Sequence, residues 1–212
     1  MTFSVLKNTN YWKNWWTNKK ADWKQAYSST ADHPHRKIII NILRGINWLS
    51  LLEIGCNSGP NLIAIIKNIP GRQVGGIDVN PEAIELAQKT MPNGLFKVNS
   101  ADDIMMSDKS VDIILSDMCL IYVDWWKIDK YIKEIKRIAR NHILFCEFHS
   151  KSWWNRMALK LNSGYNAYNW KRLLEKHGFY DIYIQKLKEE DWPDGNPQRT
   201  FAYIILAKVP KN

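Results

Sequence analysis

The chain has 212 residues, 45% of them hydrophobic, and a formal net charge of +9. This is enough for one domain with a full core, and it excludes global disorder. No apolar run is long enough to span a bilayer, and residues 1–16 lack the apolar middle of a signal peptide.

Asn10 to Ala26 is expected to be helical, because Trp12, Trp15, Trp16 and Trp23 recur near helical spacing with lysines between them. Residues 1–50 hold eight Lys/Arg against two Asp. The segment therefore reads either as an aromatic face packed on the domain or as a basic, aromatic strip for nucleic acid. Residues 28–35 form a breaker-rich loop containing His33 and His35. Arg36 to Asn47 is a second helix, with Ile39, Ile40, Leu43 and Ile46 on its apolar face. Residues 1–47 are thus a helical lid or cap segment on the domain of residues 48–212, the whole being a single globular domain.

Leu51, Leu52 and Ile54 form a buried strand that ends in a tight turn. Gly55 and Gly59 allow positive φ there, Asn57 tolerates it, and Pro60 suits the first position of the helix that follows. Gln73 to Val79 is the second strand. Asp78 lies at its end, 19 residues beyond Gly59, where an acid accepts hydrogen bonds from ribose hydroxyls in doubly wound nucleotide sites. Pro81 to Met91 is a helix, Leu95 to Val98 a strand, Ser110 to Asp117 a fourth strand, Asp124 to Arg140 a long helix and His142 to His149 a fifth strand. This alternation implies a parallel sheet with right-handed crossovers. Trp170 to His177 is a helix capped by Gly178. Phe179 to Lys186 and Thr200 to Val209 then read as strands with no helix between them, hence antiparallel. Cys56, Cys119 and Cys146 lack metal-ligand spacing and read as reduced and buried, in a cytoplasmic protein without a metal.

Glu53-x-Gly55-x-Asn57-x-Gly59 resembles the first motif of class I S-adenosylmethionine-dependent methyltransferases, (Asp/Glu)-x-Gly-x-Gly-x-Gly, with Asn57 for the middle glycine. It is not the dinucleotide fingerprint, since position 57 is Asn and position 60 is Pro. Gly76-Ile77-Asp78-Val79-Asn80 is similar to the family's ribose-binding segment. Ser100-Ala101-Asp102-Asp103-Ile104 followed by Asp108-Lys109-Ser110-Val111-Asp112 is similar to the adenine loop of the small-molecule, type 11-like branch. Here Ser100 replaces the usual first acid, and Met105-Met106 replaces Pro-Phe. The resemblance covers about residues 48 to 209. It implies an α/β, doubly wound Rossmann-like fold: a seven-stranded sheet of order 3-2-1-4-5-7-6 with an antiparallel last hairpin and helices on both faces. It also implies S-adenosylmethionine as cofactor, with S-adenosylhomocysteine as product. The implied cofactor contacts are Glu53, Gly55, Cys56, Asn57, Gly59, Asp78, Val79, Ala101, Asp102 and Asp117. For Asp102 and Asp103 a helix N-cap is the alternative.

Methyl transfer from an activated donor asks the protein to position, desolvate and, where needed, deprotonate the acceptor. Aromatic faces suit a sulfonium through cation–π attraction. Strand carboxyl ends supply the catalytic candidates Asp117 and His149, beside Glu147, and Tyr122 follows strand four. The alternative for the strand-five groups is a polar rim. His33, His35, Tyr165 and Tyr168 are substrate candidates; the histidines read alternatively as solvated and the tyrosines as packing for the next helix. The expected activity is transfer to an O or N of a small-molecule or carbohydrate-like acceptor. One alternative is an RNA methyltransferase using the basic, Trp-rich N-terminal segment, although Ser116-Asp117-Met118-Cys119 is not the Asn/Asp-Pro-Pro-Tyr loop used on exocyclic amines. Another is a cofactor-binding protein without catalysis.

Overall fold

A computed structural model describes residues 7–18, 33–193 and 195–211. Helix α1 spans Thr9–Asn18 and α2 His35–Arg44, followed by β1 Ser50–Ile54, α3 Pro60–Asn68, β2 Gln73–Asp78, α4 Pro81–Thr90 and β3 Leu95–Val98. The chain continues through β4 Val111–Asp117, α5 Ile128–Ile138, β5 Ala139–Phe148, α6 Trp153–Ser163, α7 Trp170–Lys176, β6 Tyr180–Lys186, α8 Gln198–Phe201 and β7 Ala202–Lys208.

The sheet runs β3-β2-β1-β4-β5-β7-β6. Strands β1 to β5 pair in parallel, and β7 lies antiparallel to both β5 and β6. This is the expected order and the expected hairpin. Side chains alternate across the pleat, so Leu51 enters one core layer while Leu52 and Ile54 enter the other. The first layer takes Ile39 and Leu43 of α2 with Leu62 and Ile65 of α3; the second takes the buried stripe of α5 and Trp170 and Leu174 of α7. On α5 that stripe is Ile128, Tyr131, Ile132, Ile135 and Ile138, the 3–4 spacing of one helix face.

Register decides where the chemistry can sit. Ile54 pairs with Ile77 on one side and with Ser116 on the other. The next residues, Gly55, Asp78 and Asp117, therefore emerge side by side at the carboxyl edge of the three central strands.

Four elements differ from expectation. The helix expected over 10–26 is seen as Thr9–Asn18; its remainder, including Trp23, and residues 28–32 of the following loop lie outside the described residues. Helix α5 starts at Ile128 rather than Asp124, because the Asp124 carboxylate and its own N–H are both engaged with Thr9, which holds 124–127 in a turn. Its other end is also shorter, since extended backbone begins at Ala139. Helix α6 was not anticipated, and α8 takes the first two residues of the expected last strand. No helix follows Asp102 and Asp103, so neither is a helix cap.

Candidate active site

The turn after β1 is held from beneath. The Gly55 and Cys56 N–H groups both donate to the Ile77 carbonyl, at 2.8 and 3.0 Å. Gly55 has φ +68, and a Cβ there would lie 2.4 Å from Cys119 Sγ, so only glycine fits between the turn and the β4 loop. Asn57 takes the left-handed region at φ 49, as its residue type allows. Its N–H donates to Asp78 Oδ2 and the Asn80 N–H to Asp78 Oδ1, each at 2.9 Å. Burial raises the Asp78 carboxyl despite these donors. The Val79 N–H also favours the carboxylate, which still keeps acceptor capacity for a further donor.

Above the corner lies a cavity. Gly55, Asn57, Asp78 and Val79 form its floor, Asn99, Ser100 and Ala101 one side, and Asp117, Met118, Cys119 and Tyr122 the other. Its cover is α1, through Thr9, Trp12, Lys13 and Trp16. This helix is fastened by polar bonds at several points along its length. Thr9 Oγ1 donates to Asp124 Oδ2 at 2.8 Å, Lys13 Nζ reaches Asp102 Oδ1 at 3.0 Å, and Asn80 Nδ2 donates to the Trp16 carbonyl at 3.0 Å. Trp12 is buried; its indole stacks on Tyr165 at 5.4 Å and leans on Tyr122 at 4.9 Å.

Behind the Asp117 wall runs a buried polar chain. Asn61 Nδ2 donates to Glu53 Oε1 at 2.6 Å and to Asp117 Oδ2 at 2.9 Å, while Asn61 Oδ1 accepts from Arg36 Nε at 2.6 Å. His35 Nε2 sits 2.8 Å from Asp117 Oδ2, and His35 Nδ1 contacts the His33 ring. Burial alone would raise Asp117, but His35, Asn61 and Arg36 outweigh it and hold the carboxyl at about 2. Burial pushes Glu53 well up, with Asp117 and Asp78 adding to the shift. Three buried atoms of this chain have no partner: Glu53 Oε2, Asp117 Oδ1 and Arg36 Nη1. Buried unpaired polar atoms are costly and mark a place where a ligand atom would be welcome.

His35, Asp117 and Cys146 bring three ligand atoms within 4.8 Å of one another. Burial and Asp117 push the Cys146 thiol well up, and His35 Nε2 already faces Asp117. The trio therefore reads as packing of a neutral thiol against the His35–Asp117 hydrogen bond.

Of the residues singled out in the sequence, Gly55, Asn57, Asp78, Val79, Ala101, Asp117 and Tyr122 line the cavity. Glu53, Cys56 and Gly59 support its floor from beneath, and Asp102 anchors Lys13 at its edge. Burial opposes the low position of the Asp102 carboxyl, but Ser100 and Lys13 hold it at about 2. His33 and His35 lie behind Asp117 rather than in the cavity. Tyr165 backs Trp12, and the Tyr168 hydroxyl is spent on the Val123 carbonyl. His149 does not join Asp117, because β5 ends at Phe148 and the chain turns away. Its Nδ1 accepts from the Trp170 N–H at 3.2 Å, and its ring faces Tyr203. Glu147 is buried under the β4 loop, where Oε1 accepts from Ser116 Oγ and from the Cys119 and Leu120 N–H groups. The tryptophan-rich first segment is expected from the sequence to supply aromatic faces, and Trp12 and Trp16 line the cavity; Lys13, Arg36 and Asn61 were not assigned to the site. The tryptophan spacing on α1 was the visible signal; Arg36 and Asn61 carried none.

Residues 51–142 match the family model for a methyltransferase domain. An uncharacterized methyltransferase-like protein of Schizosaccharomyces pombe is 31% identical over 90 residues, which is 42% of this chain and 34% of that protein. A second uncharacterized methyltransferase of the same yeast is 30% identical over 91 residues, 43% of this chain and 35% of that protein. The chain thus spans about a third of the length of the curated relatives it matches. Among solved structures, magnesium protoporphyrin IX methyltransferase from Synechocystis PCC 6803, with bound S-adenosylmethionine, aligns over 99% of this chain and 100% of its own at TM-score 0.66 and 12% identity. The plantazolicin methyltransferase in complex with a desmethyl analogue and S-adenosylhomocysteine aligns over 96% of both chains at TM-score 0.64 and 15% identity. These structural likenesses establish the fold.

Proposed function

We propose that this chain, which carries a class I methyltransferase domain, transfers a methyl group from S-adenosylmethionine to an oxygen or nitrogen of a small-molecule acceptor held beneath α1. The observation that carries this reading is the single cavity joining Asp78, the Asn99–Ala101 loop and the Asp117 wall under two tryptophans.

The residues present fit that cofactor. Asp78 has acceptor capacity left for a ribose hydroxyl. Asn99, Ser100 and Ala101 form an edge suited to a base. The unpartnered Asp117 Oδ1 at the cavity wall offers an acceptor that matches the ammonium of an amino-acid end. When bound, the cofactor supplies an already activated methyl group.

The chain's own residues do the rest. Asp117, held at about 2, is a poor proton acceptor near neutrality but a fixed anion for a cationic centre. Trp12, Trp16 and Tyr122 present aromatic faces to that centre and exclude water. Residues 1–47 act as a lid in this reading, latched by Lys13 on Asp102. Trp12 and Trp16, on which a nucleic-acid reading leaned, face this cavity, which favours a small acceptor.

Calorimetry tests the reading directly. S-adenosylmethionine and S-adenosylhomocysteine should bind the wild-type protein, and Asp78→Ala should weaken both by about 1–3 kcal/mol through the lost hydrogen bonds. Unchanged affinity in the variant rejects the ribose role. Formation of S-adenosylhomocysteine against a panel of hydroxyl and amine acceptors then identifies the substrate.

A further inference from the structure

Away from the cavity, four tryptophans face outward. Trp125, Trp126, Trp153, Trp154 and Leu161 are between 53% and 76% exposed. On α6, Trp154, Ala158 and Leu161 are all exposed at i, i+4 and i+7, so the outer face of this helix is an apolar stripe. Its inner face is anchored. Lys160 Nζ bonds Asp124 Oδ1 at 3.1 Å and the Lys7 carbonyl at 2.8 Å, and Thr9 bonds Asp124 from α1. Leu161 and Trp125 are the chain neighbours of that buried ion pair, so the two exposed patches adjoin the same fastening point. Uncovered apolar area of this kind marks an interaction surface.

Its charge says what kind. Residues 151–163 contain no acid; Lys160 there is spent on Asp124, which leaves Lys151 and Arg156, and residues 7–18 add Lys7, since Lys13 is paired with Asp102. Beside Trp125 and Trp126, Lys127 adds a cation, Lys130 lies 3.4 Å from Asp102, and two acids accompany them. Asp124 is buried, and Asp129 is taken by Lys176 and His177 at 2.7 and 2.6 Å. The face is therefore cationic at its rim and aromatic at its centre. Like charge disfavours a second copy of the same face. The two tryptophan pairs meet edge to face, at 85° and 77°, which leaves no parallel slot for a nucleobase, and the stripe is completed by aliphatic carbon. Tryptophan with flanking Lys/Arg is the composition of a helix lying in a membrane interface.

We propose that this face docks on an anionic lipid bilayer, with Trp125, Trp126, Trp153, Trp154 and Leu161 among the headgroups and the surrounding Lys/Arg on lipid phosphates. The proposal is independent of the methyl-transfer reading. The test is flotation of the full chain with phosphatidylcholine vesicles, with and without roughly a third of phosphatidylglycerol. The protein should float with the anionic vesicles, release at high salt, and stay behind with the neutral ones. Trp154→Ser with Leu161→Ser should keep the circular dichroism and melting temperature yet lower partitioning roughly tenfold. Trp125→Ser with Trp126→Ser should act likewise. Absence of anionic preference overturns the proposal, as does partitioning indifferent to both double variants. So does finding that the variants abolish only self-association in sedimentation, or only RNA binding.

Discussion

The glycine corner and the α1 cover face each other across one cavity, yet they are built from opposite materials. The corner is backbone on backbone: Gly55 and Cys56 donate to Ile77, and no atom wider than hydrogen fits between Gly55 and Cys119. The cover is side chain on loop. Thr9 reaches Asp124, Lys13 reaches Asp102, and the Trp12 indole donates to the Gly164 carbonyl at 3.3 Å. Backbone ladders open only with global unfolding, whereas an element held by a few side-chain bonds opens locally at much lower cost. A cavity with a rigid floor and a releasable roof can keep one ligand oriented while another enters.

The sharpest way to break this contrast is at the corner. Gly55→Ala puts a Cβ into Cys119 at positive φ, and should cost about 2–4 kcal/mol in urea unfolding. Cys119→Ala in the same chain should recover part of that loss by making room. A Gly55→Ala protein as stable as wild type would show that the floor is not tightly closed.

A smaller effect comes from Glu147 beneath the β4 loop. Burial raises its carboxyl to about 7 even though Ser116 and the Leu120 and Cys119 N–H groups pull it down. A raised acid favours the folded state fully below its unfolded value near 4.5, and that contribution is lost as pH rises through about 7. Unfolding free energy should therefore fall between pH 5 and pH 8, by up to about 3 kcal/mol. Glu147→Gln should reduce this slope, leaving the part that the raised Glu53 and Asp78 contribute, because the amide oxygen still accepts where Oε1 does. A Glu147→Gln protein with the same slope would place the titration elsewhere.

The smallest stability change belongs to the roof. Lys13→Ala removes a partly exposed ion pair and should cost no more than about 1 kcal/mol in unfolding. It should nevertheless weaken cofactor retention measured by calorimetry, because the latch on Asp102 is gone. If retention is unchanged, α1 covers the cavity without Lys13.

Much of this architecture was legible in the sequence, for local reasons. Short strands rich in apolar residues, punctuated by Gly71 or Pro81, announce a parallel sheet, and two strands without an intervening helix announce the antiparallel β6–β7 pair. Asp78 was legible because it ends a strand at a fixed distance from a glycine turn. Helix α6 was not, because Trp153, Trp154 and Leu161 face outward while Lys160 joins Leu159 on the inner face, so the usual sign of burial is blurred. The Arg36–Asn61–Asp117 chain was not, because it joins side chains 25 and 56 residues apart that only the folded sheet brings together. For His149 the alternation along β5 was sound, but the strand ends one residue earlier and the ring follows the turn toward Trp170.

The placement of β7 between β5 and β6 has a consequence for how the chain is made. Ile143 to Phe148 are buried in the finished sheet, but one edge of β5 gains its partner only with residues 202–208. During synthesis an apolar strand edge must wait while residues 149–201 leave the ribosome. An open edge of that kind invites pairing with other nascent chains. Chaperone dependence and aggregation on slow translation should therefore centre on the interval between β5 and β7.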